Sequence, residues 1–163
     1  MLDAETLELA KSVNDHLRDA GHMMATAESC TGGLVAAALT AVPGSSDILF
    51  GGYVTYANRA KIEMIDVPED LIAHHGAVSE PVARAMAEGA RRTAGVDLAI
   101  AITGIAGPGG GSVEKPVGLV HFALATATAT LHRVETFGDP GRDEIRRLSV
   151  RVALEMVRDA YLR

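Results

Sequence analysis

The sequence predicts a layered α/β domain built on a mixed sheet, and three observations carry that prediction. Short apolar runs alternate with stretches of helical periodicity, the signature of helices packed on a sheet. Two successive β-branched, alternating segments, 117–126 and 130–137, read as a hairpin, so the sheet is not purely parallel. The chain of 163 residues shows no internal repeat, linker or low-complexity stretch and is long enough to bury one core, so 1–163 is read as one domain.

Each element follows from local chemistry. Asp3 is placed to cap a helix whose apolar face runs Leu7, Ala10, Val13, Leu17, and Gly21 is placed to end it. Residues 23–27 read as a short buried strand, followed by the turn Glu28-Ser29-Cys30-Thr31-Gly32-Gly33 and a helix over 34–41. Pro43-Gly44-Ser45-Ser46 stops that helix. Residues 48–56 form the next strand, where Gly51-Gly52 signals a bulge or a close backbone approach. Short helices are expected over 58–65 and 68–75. Ser79 is an N-cap with Pro81 in the first turn of a helix running to about Thr93. An apolar strand over 97–103 runs into a loop, 104–112, that holds five glycines. After the hairpin, Gly138-Asp139-Pro140-Gly141 breaks the pattern. A last helix over 143–162 presents Ile145, Leu148, Val152, Met156 and Ala160 on one face.

Composition narrows the function. The formal charge is −6, from 15 Lys+Arg against 21 Asp+Glu, which offers no footprint for a nucleic-acid backbone. A small anion then needs a locally positive pocket. One cysteine, Cys30, makes no demand for an oxidising compartment, and the acidic Met1–Glu5 segment is unlike a secretory signal. No apolar run reaches the roughly 18 residues of a membrane span, so a cytoplasmic protein with no membrane partner is expected.

The strand–turn–helix at 23–41 is the most informative local feature. A side chain there sits over the helix N-terminus, where free N–H groups favour developing negative charge. Ser29 is thus a candidate nucleophile with oxyanion donors at hand; alternatively, Ser29 and Thr31 merely cap the helix. Cys30 is a competing nucleophile, though a lone cysteine is commonly a buried apolar residue. None of the six histidines has a spacing that makes an obvious triad, and no cluster shows metal-ligand spacing, so no metal or cofactor is expected.

Lys61, in Tyr56-Ala57-Asn58-Arg59-Ala60-Lys61, can serve as a base only if burial or a neighbouring charge brings its pKa down from about 10.4. Otherwise it is an ordinary surface lysine. Tyr56 could relay a proton or orient the amine, or simply pack. The glycine loop could wrap an anion with successive N–H groups, although it has neither Walker nor Rossmann spacing; its other reading is a surface loop. Thr103, at the strand end, is a candidate hydrogen-bonding residue, and Arg142 a phosphate clamp. Arg146, Arg147 and Arg151 read as the solvated face of the last helix.

Five segments in order, Ala27–Gly33, Tyr56–Lys61, His75–Pro81, Thr103–Pro108 and Lys115–Gly118, resemble the successive motifs of the CinA C-terminal family, and the likeness covers nearly the whole chain. The resemblance implies a three-layer α/β/α sandwich. It also implies a stand-alone nicotinamide-nucleotide amidase, which converts nicotinamide mononucleotide to nicotinic acid mononucleotide and ammonia. By motif it assigns Ser29, Lys61 and Tyr56 to catalysis, and Thr31, Gly32, Gly33, Asn58, Thr103 and Arg142 to the nucleotide pocket. In the mechanism expected from these residues, N–H groups of the 31–33 turn are the oxyanion donors. A homodimer is a further implication. The family commonly has serine where this chain has Ala57. Many members also carry an N-terminal domain linked to pyrophosphatase activity; these 163 residues contain no counterpart, and that activity is not carried over. The rival class is a non-catalytic nucleotide-binding module in which Lys61 stays charged and exposed.

Overall fold

The apolar run after Asp97 becomes the middle strand of a five-stranded sheet in the computed structural model, which describes residues 2–162. The strands are β1 (Met24–Glu28), β2 (Leu49–Val54), β3 (Leu98–Gly104), β4 (Leu119–Ala125) and β5 (Thr130–Thr136), in the order β2-β1-β3-β4-β5. β1 is parallel to β2 and β3, whereas β4 is antiparallel to both β3 and β5. The hairpin makes the sheet mixed, as the pattern predicts.

Alternation along the strands sorts side chains by size between the two faces. Met24, Leu98, Ile100, Ile102, Phe122 and Leu124 point to a thick core covered by α1 (Ala4–Ala20), α2 (Leu34–Thr40) and α6 (Arg142–Ala160). The opposite face is almost all alanine: Ala25, Ala27, Ala99, Ala101, Ala123 and Ala125. There α5 (Glu80–Ala94) lies on the sheet, and α3 (Asn58–Ile65) and α4 (Glu69–His75) pack against α5. The result is a three-layer α/β/α sandwich. Among the described residues no helix is long and apolar enough to cross a membrane.

Asp3 caps α1 by accepting the Thr6 N–H at 3.0 Å, and Gly21 ends the helix in the left-handed region. Residue Phe50 is the extra residue of a bulge, because Met24 pairs with Leu49 while Ala25 pairs with Gly51. Gly52 meets the close approach: a Cβ there would lie 2.7 Å from Thr26 Oγ1.

Three expectations need correction. Ser79 occupies the N-cap position of α5, but its hydroxyl donates to Gly76 O at 2.8 Å instead of capping the helix. The buried arc of α6 is wider than one stripe and includes Ser149, Val150 and Leu154, while Leu148 is only half-buried, because α6 packs on α1 as well as on the sheet. Arg147 and Arg151 are not a solvated face. They reach Asp3 Oδ2 at 2.9 and 2.7 Å, tying the start of α1 to α6 and holding the Asp3 carboxyl well below its ordinary pKa, behind the Thr6 hydrogen bonds.

Gly89 sets the distance between α5 and α3: a Cβ on it would stand 1.9 Å from the Ile65 carbonyl oxygen. Gly→Ala inside a helix ordinarily gains about 1 kcal/mol in propensity. Here the added methyl meets backbone that cannot swing aside. Gly89→Ala is expected to lower unfolding free energy by about 2 kcal/mol or more in urea titrations, whereas Gly51→Ala, with open space around it, is expected to change it by less than about 1 kcal/mol.

Candidate active site

The turn that carries Ser29 begins where β1 ends. The Ser29 N–H donates to Ile102 O at 3.0 Å, so Ser29 continues the β1–β3 pairing and stands at the carboxyl end of the central strands, the usual site of the crevice in α/β sheets. Gly32 and Gly33 then take φ of 60° and 97°, a region side chains with Cβ avoid. The fully buried Glu28 carboxylate turns back beneath this loop. It accepts the N–H groups of Gly33 and Val35 at 3.1 Å and of Ala36 at 3.0 Å.

Glu28 is therefore the cap of α2. Neither Ser29 nor Thr31 caps that helix, and Thr31 Oγ1 is buried without a hydrogen-bond partner among the described residues. Ser29 is left free for other work. The same contacts change the expected oxyanion donors. Gly33 N–H is taken by Glu28, and Gly32 N–H donates to Ser29 O at 3.0 Å. The turn's N–H groups without an acceptor among the described residues are those of Cys30 and Thr31.

Lys61 lies on the second turn of α3 with its side chain turned inward. The residue is 1% exposed, and Nζ lies 3.1 Å from Ser29 Oγ and 2.7 Å from Thr55 O. Thr55 is itself fixed, since its N–H donates to Glu28 O at 2.9 Å. No carboxylate lies within 4.0 Å of Nζ among the described residues. Burial without a counter-ion penalises the ammonium and lowers the Lys61 pKa to about 8. A neutral amine has one lone pair and two hydrogens. It can donate one hydrogen to Thr55 O while its lone pair accepts from the Ser29 hydroxyl.

Ser29, Tyr56, Asn58, Lys61, Thr103 and Arg142 line one cavity of about 270 Å³, together with residues of the 104–110 loop. Thr31, Gly32 and Gly33 are not among its lining residues, and neither is any histidine. Tyr56 stands at the mouth, 57% exposed, and its hydroxyl accepts from Arg142 Nη2 at 2.8 Å; no hydrogen bond joins it to Lys61 among the described residues. Arg142 Nη1 donates to Gly107 O at 2.8 Å, so one guanidinium ties the tyrosine to the glycine loop. Thr103 is 1% exposed and donates to Ala77 O at 2.8 Å, holding the facing wall in place. Cys30 is buried, which pushes its thiol up to about 12 and leaves it a poor nucleophile.

Arg146 is the residue beside the site that sequence reasoning missed. Far from being solvated, it donates from Nε to Cys30 O at 3.2 Å and from Nη2 to Thr31 O at 3.3 Å. Its one signal in the sequence is its place four residues after Arg142, on the same face of α6. Of the five arginines in α6, these two lack a carboxylate within 4.0 Å among the described residues, so the cavity's α6 side is positive in an acidic chain. Among the described residues no group of three or more His, Cys, Asp or Glu is placed to hold a metal ion.

Fold and site together define a three-layer α/β/α protein with a half-buried serine beside a buried lysine at the carboxyl end of its sheet. The chain belongs to the CinA C-terminal domain family, whose model matches residues 6–161. A CinA-like protein of Synechococcus sp. (strain RCC307) is 53% identical over 156 residues, covering 95% of this chain and 37% of that protein. A CinA-like protein of Mycobacterium sp. (strain JLS) is 54% identical over 143 residues, 86% of this chain and 34% of the relative. The chain thus spans about a third of the length of these relatives. The crystal structure of the competence/damage inducible protein CihA from Agrobacterium tumefaciens superposes with a TM-score of 0.96 at 46% identity, covering 100% of this chain and 99% of that one. A CinA superfamily protein from Klebsiella pneumoniae superposes at 0.92 with 35% identity, covering 96% and 98%.

Burial of Lys61 costs stability. The folded amine releases its proton near pH 8 and the unfolded one near 10.5, so between these values the unfolded state binds more protons. The contribution of this group to stability therefore rises with pH across that window and is lowest, and flat, below it. Lys61→Met is expected to raise unfolding free energy by about 1–3 kcal/mol at pH 7. In urea titrations that gain should shrink as the pH approaches 10.

Proposed function

We propose that this chain hydrolyses the carboxamide of nicotinamide mononucleotide, releasing ammonia and leaving nicotinic acid mononucleotide. The observation that carries this reading is the amine of Lys61, buried without a counter-ion and 3.1 Å from Ser29 Oγ. Neutral Lys61 accepts the Ser29 proton as Oγ attacks the amide carbon. The N–H groups of Cys30 and Thr31 meet the oxyanion. The Lys61 ammonium then protonates the departing nitrogen, ammonia leaves, and an ester to Ser29 remains. Water attacks that ester while Lys61 takes its proton; the carboxylate departs and Ser29 regains its hydrogen.

Arg142 and the N–H groups of the glycine loop are suited to the nucleotide phosphate, binding energy drawn from a group remote from the reaction. Asn58 is left to the ribose or the ring, and Tyr56 acts with Arg142 at the mouth. A module that only binds nucleotides would keep Lys61 solvated and charged. Its 1% exposure favours catalysis over that reading.

Incubation of the purified protein with nicotinamide mononucleotide, followed by ammonia assay, tests the proposal. Ser29→Ala and Lys61→Ala are each expected to reduce turnover by about 10³-fold or more. The logarithm of kcat/KM should rise with unit slope at low pH and level off near pH 8, as Lys61 loses its proton. Chelators should leave the rate unchanged. Near-normal ammonia release by Ser29→Ala overturns the scheme.

A further inference from the structure

Two side chains, Glu28 and Arg146, hold the Ser29 turn from two directions. Glu28 takes the N–H groups that follow the turn, and Arg146 takes the carbonyl oxygens within it. The planar guanidinium fork spans two successive carbonyls, those of Cys30 and Thr31, from two nitrogens held in a fixed relative geometry that an ammonium lacks. It does so without a carboxylate of its own within 4.0 Å among the described residues, while Arg147 and Arg151 of the same helix are paired with acids. A Cβ on Gly32 would lie 3.5 Å from Arg146 Nη2, so the guanidinium rests directly against the turn's backbone.

The consequence follows from peptide geometry. In a trans peptide the N–H points opposite to the C=O. Drawing Cys30 O toward Arg146 therefore turns the Thr31 N–H the other way, and drawing Thr31 O turns the Gly32 N–H away in the same sense. The Gly32 N–H closes the turn onto Ser29 O at 3.0 Å, whereas the Thr31 N–H is left without an acceptor among the described residues. The Thr31 side chain does not fix this peptide, because its hydroxyl has no partner among the described residues.

We infer that Arg146 is a positioning residue for the Ser29 turn: by gripping the Cys30 and Thr31 carbonyls it holds the Thr31 N–H in the orientation that meets the oxyanion formed when Ser29 attacks. The inference rests on the amidase reading and adds to it the group that keeps its oxyanion donor aimed. Arg146 touches neither substrate nor the reacting atoms, and acts through the backbone.

The test uses Arg146→Ala and Arg146→Lys in the full chain, with two readouts. The first is steady-state ammonia release from nicotinamide mononucleotide. The second is the rate at which an aryl sulfonyl fluoride modifies Ser29, a reaction whose sulfonyl oxygen also needs the donor. Arg146→Ala is expected to lower kcat by about 100-fold with KM changed less than about threefold, the effect of losing one oxyanion donor. Free guanidinium ion should restore much of the rate, and Arg146→Lys should recover little. Sulfonylation of Ser29 should slow in parallel. Unchanged kcat overturns the inference, as does a rise in KM alone, which would make Arg146 a binding residue. Loss of rate that guanidinium does not restore, together with a lowered thermal midpoint, overturns it in favour of a purely structural role. Should the wild-type protein release no ammonia, the amidase reading fails, and the sulfonylation rate still decides on Arg146: no slowing in Arg146→Ala overturns it.

Discussion

A single buried carboxylate organises the cavity end of this molecule. Glu28 is the last residue of β1, its carbonyl oxygen accepts from Thr55, and its side chain closes the N-terminus of α2 through three N–H groups. Its side-chain bonds join the negative charge to the positive end of a helix in a water-free place, where charge-assisted hydrogen bonds are strong and an unmet partner is costly. The turn between Glu28 and α2 is consequently held at both ends. Ser29, which would otherwise be the natural capping residue, is spared that duty and stands with its hydroxyl free.

The same residue reaches the base indirectly. Because Glu28 O fixes Thr55, the Thr55 carbonyl is available to receive Lys61 Nζ at 2.7 Å. Ser29 and the carbonyl that receives Lys61 are thus placed by backbone pairing at neighbouring strand ends. The site then works by exclusion. No carboxylate is placed beside the Lys61 amine among the described residues, and its burial lowers the pH at which it loses its proton. Burial of this amine without a counter-ion costs stability. The positive side chains that remain charged, Arg142 and Arg146, are on α6, and both bind backbone carbonyls around the cavity.

The layered architecture was legible because it rests on period and size. The strand runs, the Gly21 stop and the hairpin are each local statements about burial and backbone freedom, and each is found where the pattern puts it. The site was partly legible. Ser29 could be proposed from its strand–turn–helix setting alone, and the motif resemblance pointed to Lys61. Nothing near Lys61 in the chain marks it as buried, because its surroundings are Ser29 and Thr55 from other elements. Arg146 and Arg147 are adjacent and chemically identical in sequence. One grips the nucleophile turn and the other binds Asp3 and Glu144, a division made by the direction each leaves the helix.

What the sequence by itself determined is the α/β layering, the order of its elements, and the loops in which chemistry could occur. Those follow from interactions among residues close along the chain, where helix and strand periods differ. Which donors of the 28–36 segment stay free, which lysine loses its charge and which arginine acts on the site were decided by the tertiary structure alone. Hydrogen-bond satisfaction and desolvation depend on what lies within a few ångströms in space, and the groups concerned come from β1, α3 and α6, up to 116 residues apart.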